Sequence, residues 1–207
     1  MILGLDPSAV LAFVGAGVLL NLTPGADVMF ATASGVSGGP RVGAAAALGV
    51  ALGALWHALL AAAGLSALLA AFPPAYDAVR YAGAAYLIFL AWKTWRAGPA
   101  VAGDGAQGLW RAIRRGFMTN ALNPKVALFI LALLPQFTSP STGPIWAQIL
   151  ALGLVFAVTG FFITAGYGIA AGLVGARLTR HARLLNRVSA MVYALLALRL
   201  VLGGGQR

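Results

Sequence analysis

Two residues in this chain combine ionisable chemistry with an apolar setting. Asp27 ends the run Asn21-Leu-Thr-Pro24-Gly25-Ala-Asp27, and Lys125 ends Asn120-Ala-Leu-Asn123-Pro124-Lys125, with the two prolines one hundred positions apart. A carboxylate and an ammonium so placed can hold the two ends of a zwitterion, exchange a proton, or neutralise one another as a structural ion pair. The prolines add chemistry of their own. Breaking an apolar helix exposes free carbonyls at the end of one half and free amides at the start of the next, with roughly half a unit charge of each sign. Carbonyls suit an ammonium group and amides suit a carboxylate, while Asn21, Thr23, Asn120 and Asn123 add adjustable neutral donors and acceptors.

His57, beside Trp56, is the other deep titratable group. It is a second candidate for proton coupling, its alternative being a hydrogen bond across helices. The structural reading is favoured because no second deep histidine accompanies it, His181 lying among arginines. Gln136 and Tyr167 read as packing residues rather than ligands. One deep Asp, one deep Lys and one deep His fall short of the acids, histidines or metal cluster of an intramembrane enzyme. Ligands for a metal cation are equally sparse, so no metal and no cofactor is expected. The chain has no cysteine, which removes disulfides and thiolate sites.

The elements that must position these residues are membrane helices. The composition is 61% hydrophobic and 9% charged with a mean hydropathy of +0.90, against about 25% charged in soluble domains. Val42 to Tyr76 and Val126 to Ala176 carry no charge, and a span needs about 20 apolar residues. Six spans are expected, at Ser8 to Ser34, Val42 to Phe72, Tyr76 to Trp95, Ala112 to Phe137, Ile145 to Gly175 and Leu184 to Leu202. Met1 to Pro7 has no basic region and the apolar stretch behind it is long for a signal peptide, so the first helix is expected to be retained.

The net charge of +10 does not point to nucleic acid, because the arginines cluster just outside apolar spans. With the N-terminus outside, the cytoplasmic side holds ten positive residues: Arg41, Lys93, Arg96, Arg111, Arg114, Arg115, Arg177, Arg180, Arg183 and Arg187. The opposite side holds Arg80 and Arg207, with Arg199 near the end of the last helix. Both termini are therefore expected outside. Residues 97–110 read as a flexible cytoplasmic linker within one transmembrane domain, 1–207, separating a three-helix repeat over 1–96 from a second over 111–207. An odd number of spans per half reverses the second half, so the fold class expected is an all-α integral membrane protein built as a 3+3 inverted repeat, its first and fourth helices broken at Pro24 and Pro124. Gly49 with Gly53, and Gly168 with Gly172, have the spacing of close helix packing. Trp92, Trp95, Trp110 and Trp146 fall near span ends, where interfacial aromatics belong.

Thr23-Pro24-Gly25-Ala26-Asp27 and Asn123-Pro124-Lys125 resemble the Thr-Pro-Gly-Pro-Asp and Asn-Pro-Lys motifs of the LysE/RhtB family of bacterial amino-acid exporters. Further likeness lies in Gly83 to Lys93 with Tyr86 and Trp92, in Gly116-Phe117 leading to Asn120, and in Leu134-Pro135-Gln136-Phe137. Ala26 departs from the pattern, replacing the family's second proline. The resemblance implies amino-acid export across the bacterial inner membrane, proton-driven antiport and a homodimer. The breaks themselves put Asn21, Thr23, Pro24, Gly25, Asp27, Asn120, Asn123, Pro124 and Lys125 at the expected substrate site, with Asp27 the first candidate for coupling. The chain has no glutamate, and of Asp6, Asp27, Asp77 and Asp104 only Asp27 lies deep. A dibasic substrate would find no second carboxylate, which favours threonine, homoserine or leucine over lysine and arginine. Export of another small solute or cation, an intramembrane enzyme and a structural membrane protein are the alternatives.

Overall fold

The computed structural model describes residues 7–65, 74–96, 105–174 and 182–202, which form eight α-helices. In chain order these are α1 (Pro7–Leu22), α2 (Ala26–Gly38), α3 (Pro40–Leu60, prolonged by a π-helical turn Ala61–Leu65), α4 (Pro74–Arg96), α5 (Leu109–Ala121), α6 (Pro124–Leu133, prolonged by a 3-10 turn Leu134–Phe137), α7 (Ile145–Val174) and α8 (Ala182–Leu202). Among the described residues, α3 with its π turn and α7 are each long and apolar enough to cross a membrane, and the pairs α1–α2 and α5–α6 qualify as bent spans. Arg80, Lys93, Arg187 and Arg199 leave α4 and α8 less apolar.

Both breaks follow from local chemistry. Pro24 offers no amide and disfavours a helical conformation in the residue before it, so α1 stops at Leu22 and α2 restarts at Ala26 after a bend of 52°. Pro124 occupies the first turn of α6, where a missing amide costs nothing, and Asn123 caps that helix after a bend of 55°. The bends match closely although Ala26 replaces a second proline, so one proline with Gly25 is enough.

The helices approach closely where glycines face backbone. A Cβ on Gly43 would lie 2.8 Å from Gly168 Cα, and one on Gly53 2.7 Å from Asn120 Cβ. These contacts seat α3 between α7 and α5. Gly39, with φ of +84°, makes the turn from α2 into α3, a conformation that favours glycine. An aromatic core joins α1, α6 and α7: Phe129 stacks on Phe156 at 5.0 Å, and Phe13 meets Phe137 edge-on at 5.4 Å. Trp92, Trp95, Trp110 and Trp146 are exposed near helix ends.

The segment expected as a flexible linker, residues 97–110, has a packed end. Residues 97–104 lie outside the described residues, as do the ends of the second and fifth expected spans at Phe72 and Gly175, and His181. Ala106, however, is fully buried against α2, donating its amide to Ser34 Oγ at 3.2 Å and accepting from Ser37 Oγ at 3.3 Å. The physical reason is that Gly105 and Ala106 are small enough to reach the α2 backbone, where the buried Ser34 hydroxyl needs a partner. That contact anchors the chain just before α5, which starts at Leu109 rather than Ala112.

Candidate functional site

Asp27 and Lys125 hold the same place in their helices, second after the break, and both are buried. Each reaches across to the other break. Asp27 Oδ2 accepts from Asn120 Nδ2 at 3.0 Å and Asn123 Nδ2 at 2.9 Å. Lys125 Nζ donates to the carbonyls of Leu20 at 3.0 Å and Thr23 at 3.1 Å, the end of α1, where carbonyls lack intrahelical amides. The Tyr193 ring lies 5.4 Å from the same ammonium, a cation–π contact. Among the described residues the recorded ion pair is Arg80 with Asp77, so Asp27 and Lys125 share a site without touching.

The helix starts at the two breaks differ. Asn123 Oδ1 accepts the Lys125 amide at 3.0 Å and so caps α6. Gly25, at the equivalent place on α2, has no side chain to cap with, which leaves first-turn amides available to an anion. Gly25 also makes room for the lysine, since a Cβ there would stand 3.3 Å from Lys125 Nζ. His57 Nε2 faces the Asn120 carbonyl at 3.0 Å. Tyr167 donates its hydroxyl to Leu22 O at 3.2 Å, supplying another α1 carbonyl with a partner.

A narrow pocket of about 360 Å³, part of it open to solvent, lies between the breaks. Asn21, Asp27, Asn120, Lys125 and Thr164 form its polar wall, and Val50, Ala54, Val126 and Phe156 much of its apolar wall. Asp27 Oδ1 and Asn120 Oδ1 are buried with no hydrogen-bond partner. Leaving a buried acceptor unpaired costs about 1–3 kcal/mol, more for a charged one. Both residues line the pocket, and an ammonium group carries three hydrogen-bond donors.

Of the candidate residues, Asn21, Asp27, Asn120 and Lys125 line this pocket, while Thr23, Pro24, Gly25, Asn123 and Pro124 form the two breaks behind it. Two of these groups are already engaged within the protein. Thr23, an expected substrate contact, donates its hydroxyl to Leu19 O at 2.7 Å. The Asn123 amide is committed at both ends, to Asp27 and to Lys125. His57 stands one residue away from the carboxylate, on the far side of Asn120. The sequence reading missed Tyr193, Phe156 and Thr164, and missed that Lys125 binds main-chain carbonyls. Burial on α7 and α8 gave no local signal, since an aromatic or a threonine in an apolar helix looks like packing.

Comparison with known proteins bears on what this arrangement is. The family model described as LysE type translocator matches residues 18–204. The homoserine/homoserine lactone efflux protein of Salmonella typhi is 33% identical over 168 residues, covering 80% of this chain and 81% of that protein. The cysteine/O-acetylserine efflux protein of Escherichia coli (strain HS) is 29% identical over 197 residues, covering 95% and 99%. The leucine efflux protein of Enterobacter sp. (strain 638) is 34% identical over 134 residues, covering 62% and 63%. No solved structure matches the chain significantly. Its membrane helices, its two broken spans and the match over residues 18–204 agree: the chain belongs to the LysE type translocator family, and is a transporter rather than an enzyme.

Proposed function

We propose that the chain is a secondary exporter of neutral amino acids, which bind as zwitterions between the two helix breaks. The observation that carries this reading is that two pocket-lining residues, Asp27 and Asn120, each hold a side-chain oxygen without a partner, in a pocket that Lys125 also lines. The substrate ammonium fills the two oxygens. Its carboxylate turns to Lys125 and the uncapped start of α2, and its side chain lies along Val50, Ala54, Val126 and Phe156. One carboxylate and two amides suit an organic ammonium better than a bare metal cation, which seeks more oxygen ligands. A dibasic substrate would bring a second cation with no second carboxylate to receive it, so neutral amino acids are favoured. The efflux relatives named for homoserine, leucine and cysteine support this choice.

The same reading has six spans, with α4 and α8 as the third and sixth, and relates residues 1–96 to 111–207 as an inverted repeat joined by the 97–110 connection. In support, α3 packs on α7 and α4 on α8, the second span on the fifth and the third on the sixth, as a pseudo-two-fold axis requires. Rocking of one repeat against the other would then have to exchange the partners that Asp27 and Lys125 hold across the breaks. Proton antiport through Asp27, residence in the bacterial inner membrane with both termini outside, and a homodimer complete the proposal. These last elements rest on the family and on the arginine distribution.

Counterflow in proteoliposomes of the full chain tests it. Leucine, threonine and homoserine should exchange, lysine and arginine should not, and an imposed pH gradient should drive net movement. Asp27→Asn and Lys125→Ala should each abolish transport in protein that still inserts and melts cooperatively. Exchange of lysine in preference to the neutral amino acids, or full transport by Lys125→Ala, would overturn the assignment.

A further inference from the structure

Thr164 is buried on α7 at 3% exposure, lines the pocket, and among the described residues makes no hydrogen bond. Three other threonines of this chain turn their hydroxyls back to the main chain. Thr23, Thr119 and Thr159 each donate to the carbonyl four residues back, at 2.7, 2.8 and 2.8 Å. Its hydroxyl is not enclosed, and the residue lines the pocket, so its partner is whatever polar group enters there.

Its neighbours fix its level in the pocket. Gly160, one turn earlier on the same face, lies under Asn21, so that a Cβ there would be 3.1 Å from Asn21 Nδ2. Tyr167, one turn later, holds the Leu22 carbonyl. Thr164 therefore stands level with the end of α1, in a pocket that Val50, Ala51 and Ala54 also line. Asn21 is loosely held, its amide reaching Phe156 O only at 3.5 Å, the outer limit of a hydrogen bond. One free hydroxyl and one weakly engaged carboxamide thus share the pocket with an apolar wall of small side chains. The two polar groups can satisfy one substrate hydroxyl as donor and acceptor.

We propose that Thr164, with Asn21, forms a side-chain subsite that reads a hydroxyl group, so that short hydroxylated amino acids are preferred over their alkyl isosteres. This rests on the amino-acid export proposed above and narrows it to a substrate class. A pocket that hydrogen-bonds a substrate hydroxyl rejects the analogue lacking it because the pocket's own polar group is then left unpaired.

The test is counterflow with two isosteric pairs, threonine against valine and homoserine against norvaline, in wild type, Thr164→Val and Thr164→Ser. Wild type should favour the hydroxylated member of each pair. Thr164→Val, equal in shape but without the hydroxyl, should lose that preference by about fivefold or more, the worth of one hydrogen bond, and Thr164→Ser should retain it. Equal or better transport of valine and norvaline by wild type overturns the subsite, as does an unchanged ratio in Thr164→Val. If Thr164→Val does not accumulate, the wild-type and Thr164→Ser ratios decide, a ratio of one or below counting against it. Absence of transport for every amino acid removes the exporter reading itself, whereas transport without hydroxyl preference removes only this subsite.

Discussion

Asn123 donates its Nδ2 to Asp27 Oδ2 at 2.9 Å across the two breaks, while the oxygen of the same side chain caps α6 at the Lys125 amide. One side chain thus fixes the carboxylate of one half and the helix start of the other. Replacing it separates the two duties. Asn123→Ala should lose both the cap, about 1 kcal/mol, and a partner of the buried carboxylate, about 1–3 kcal/mol, and transport should fail. Asn123→Ser keeps a capping oxygen and should recover most of the stability but little of the transport. Thermal melts in detergent beside counterflow rates read the two effects independently, and equal loss of both in the serine variant would contradict the division.

Gly25 governs the lysine. A Cβ at this position would stand 3.3 Å from Lys125 Nζ and 3.6 Å from its Cδ, so the side chain must retreat by a few tenths of an ångström. That displacement lengthens both bonds to Leu20 O and Thr23 O, now 3.0 and 3.1 Å. Gly25→Ala should therefore cut transport severalfold with a stability loss of no more than about 1 kcal/mol, as for one weakened hydrogen bond. Transport at the wild-type rate would mean that the seating of the ammonium is immaterial.

Much of this site was legible because its residues are anomalous where they stand. Asp27 and Lys125 are charges among apolar residues, and Pro24 and Pro124 are prolines inside apolar runs, so type and position alone single them out. What could not be read is what each one meets. Lys125 binds the carbonyls of Leu20 and Thr23, and a main-chain carbonyl has the same signature in every residue. Thr164 and Tyr193 belong to the site only because α7 and α8 pack where they do, and nothing in their local runs distinguishes them from Thr159 or Tyr86. Ala106 reads as linker in the sequence because a glycine-rich composition signals freedom until a partner such as Ser34 is known.

The glycine contacts between α3 and α7 give a prediction about stability rather than transport. At Gly43 an added methyl would collide with the Gly168 backbone, which cannot swing aside as a side chain can. Gly43→Ala and Gly168→Ala should each destabilise by about 1–3 kcal/mol, the usual cost of overpacking. Gly166, on the same helix with nothing within 4 Å of its Cβ position, is the control. Gly166→Ala should be neutral or stabilising by up to about 1 kcal/mol, the propensity difference between the two residues in a helix. Equal melting behaviour of all three variants would mean that the two helices do not meet at this register.

His57 offers the sharpest separation between holding and titrating. Its Nε2 faces a carbonyl, Asn120 O, which can only accept, so that nitrogen carries a hydrogen whether the ring is neutral or charged. The contact consequently survives a change in protonation, and its effect on Asp27 runs through the placement of Asn120, whose Nδ2 holds the carboxylate at 3.0 Å. A glutamine amide can donate from nearly the same place and cannot titrate. His57→Gln should therefore keep transport within about threefold of wild type, since one donor replaces another at roughly equal hydrogen-bond worth, and should leave its pH profile in place. His57→Leu should destabilise by about 1–3 kcal/mol, with the Asn120 carbonyl short of a partner, and should slow transport through the displaced amide. Loss of gradient-driven transport in His57→Gln, with counterflow and folding intact, would instead make this ring a proton carrier.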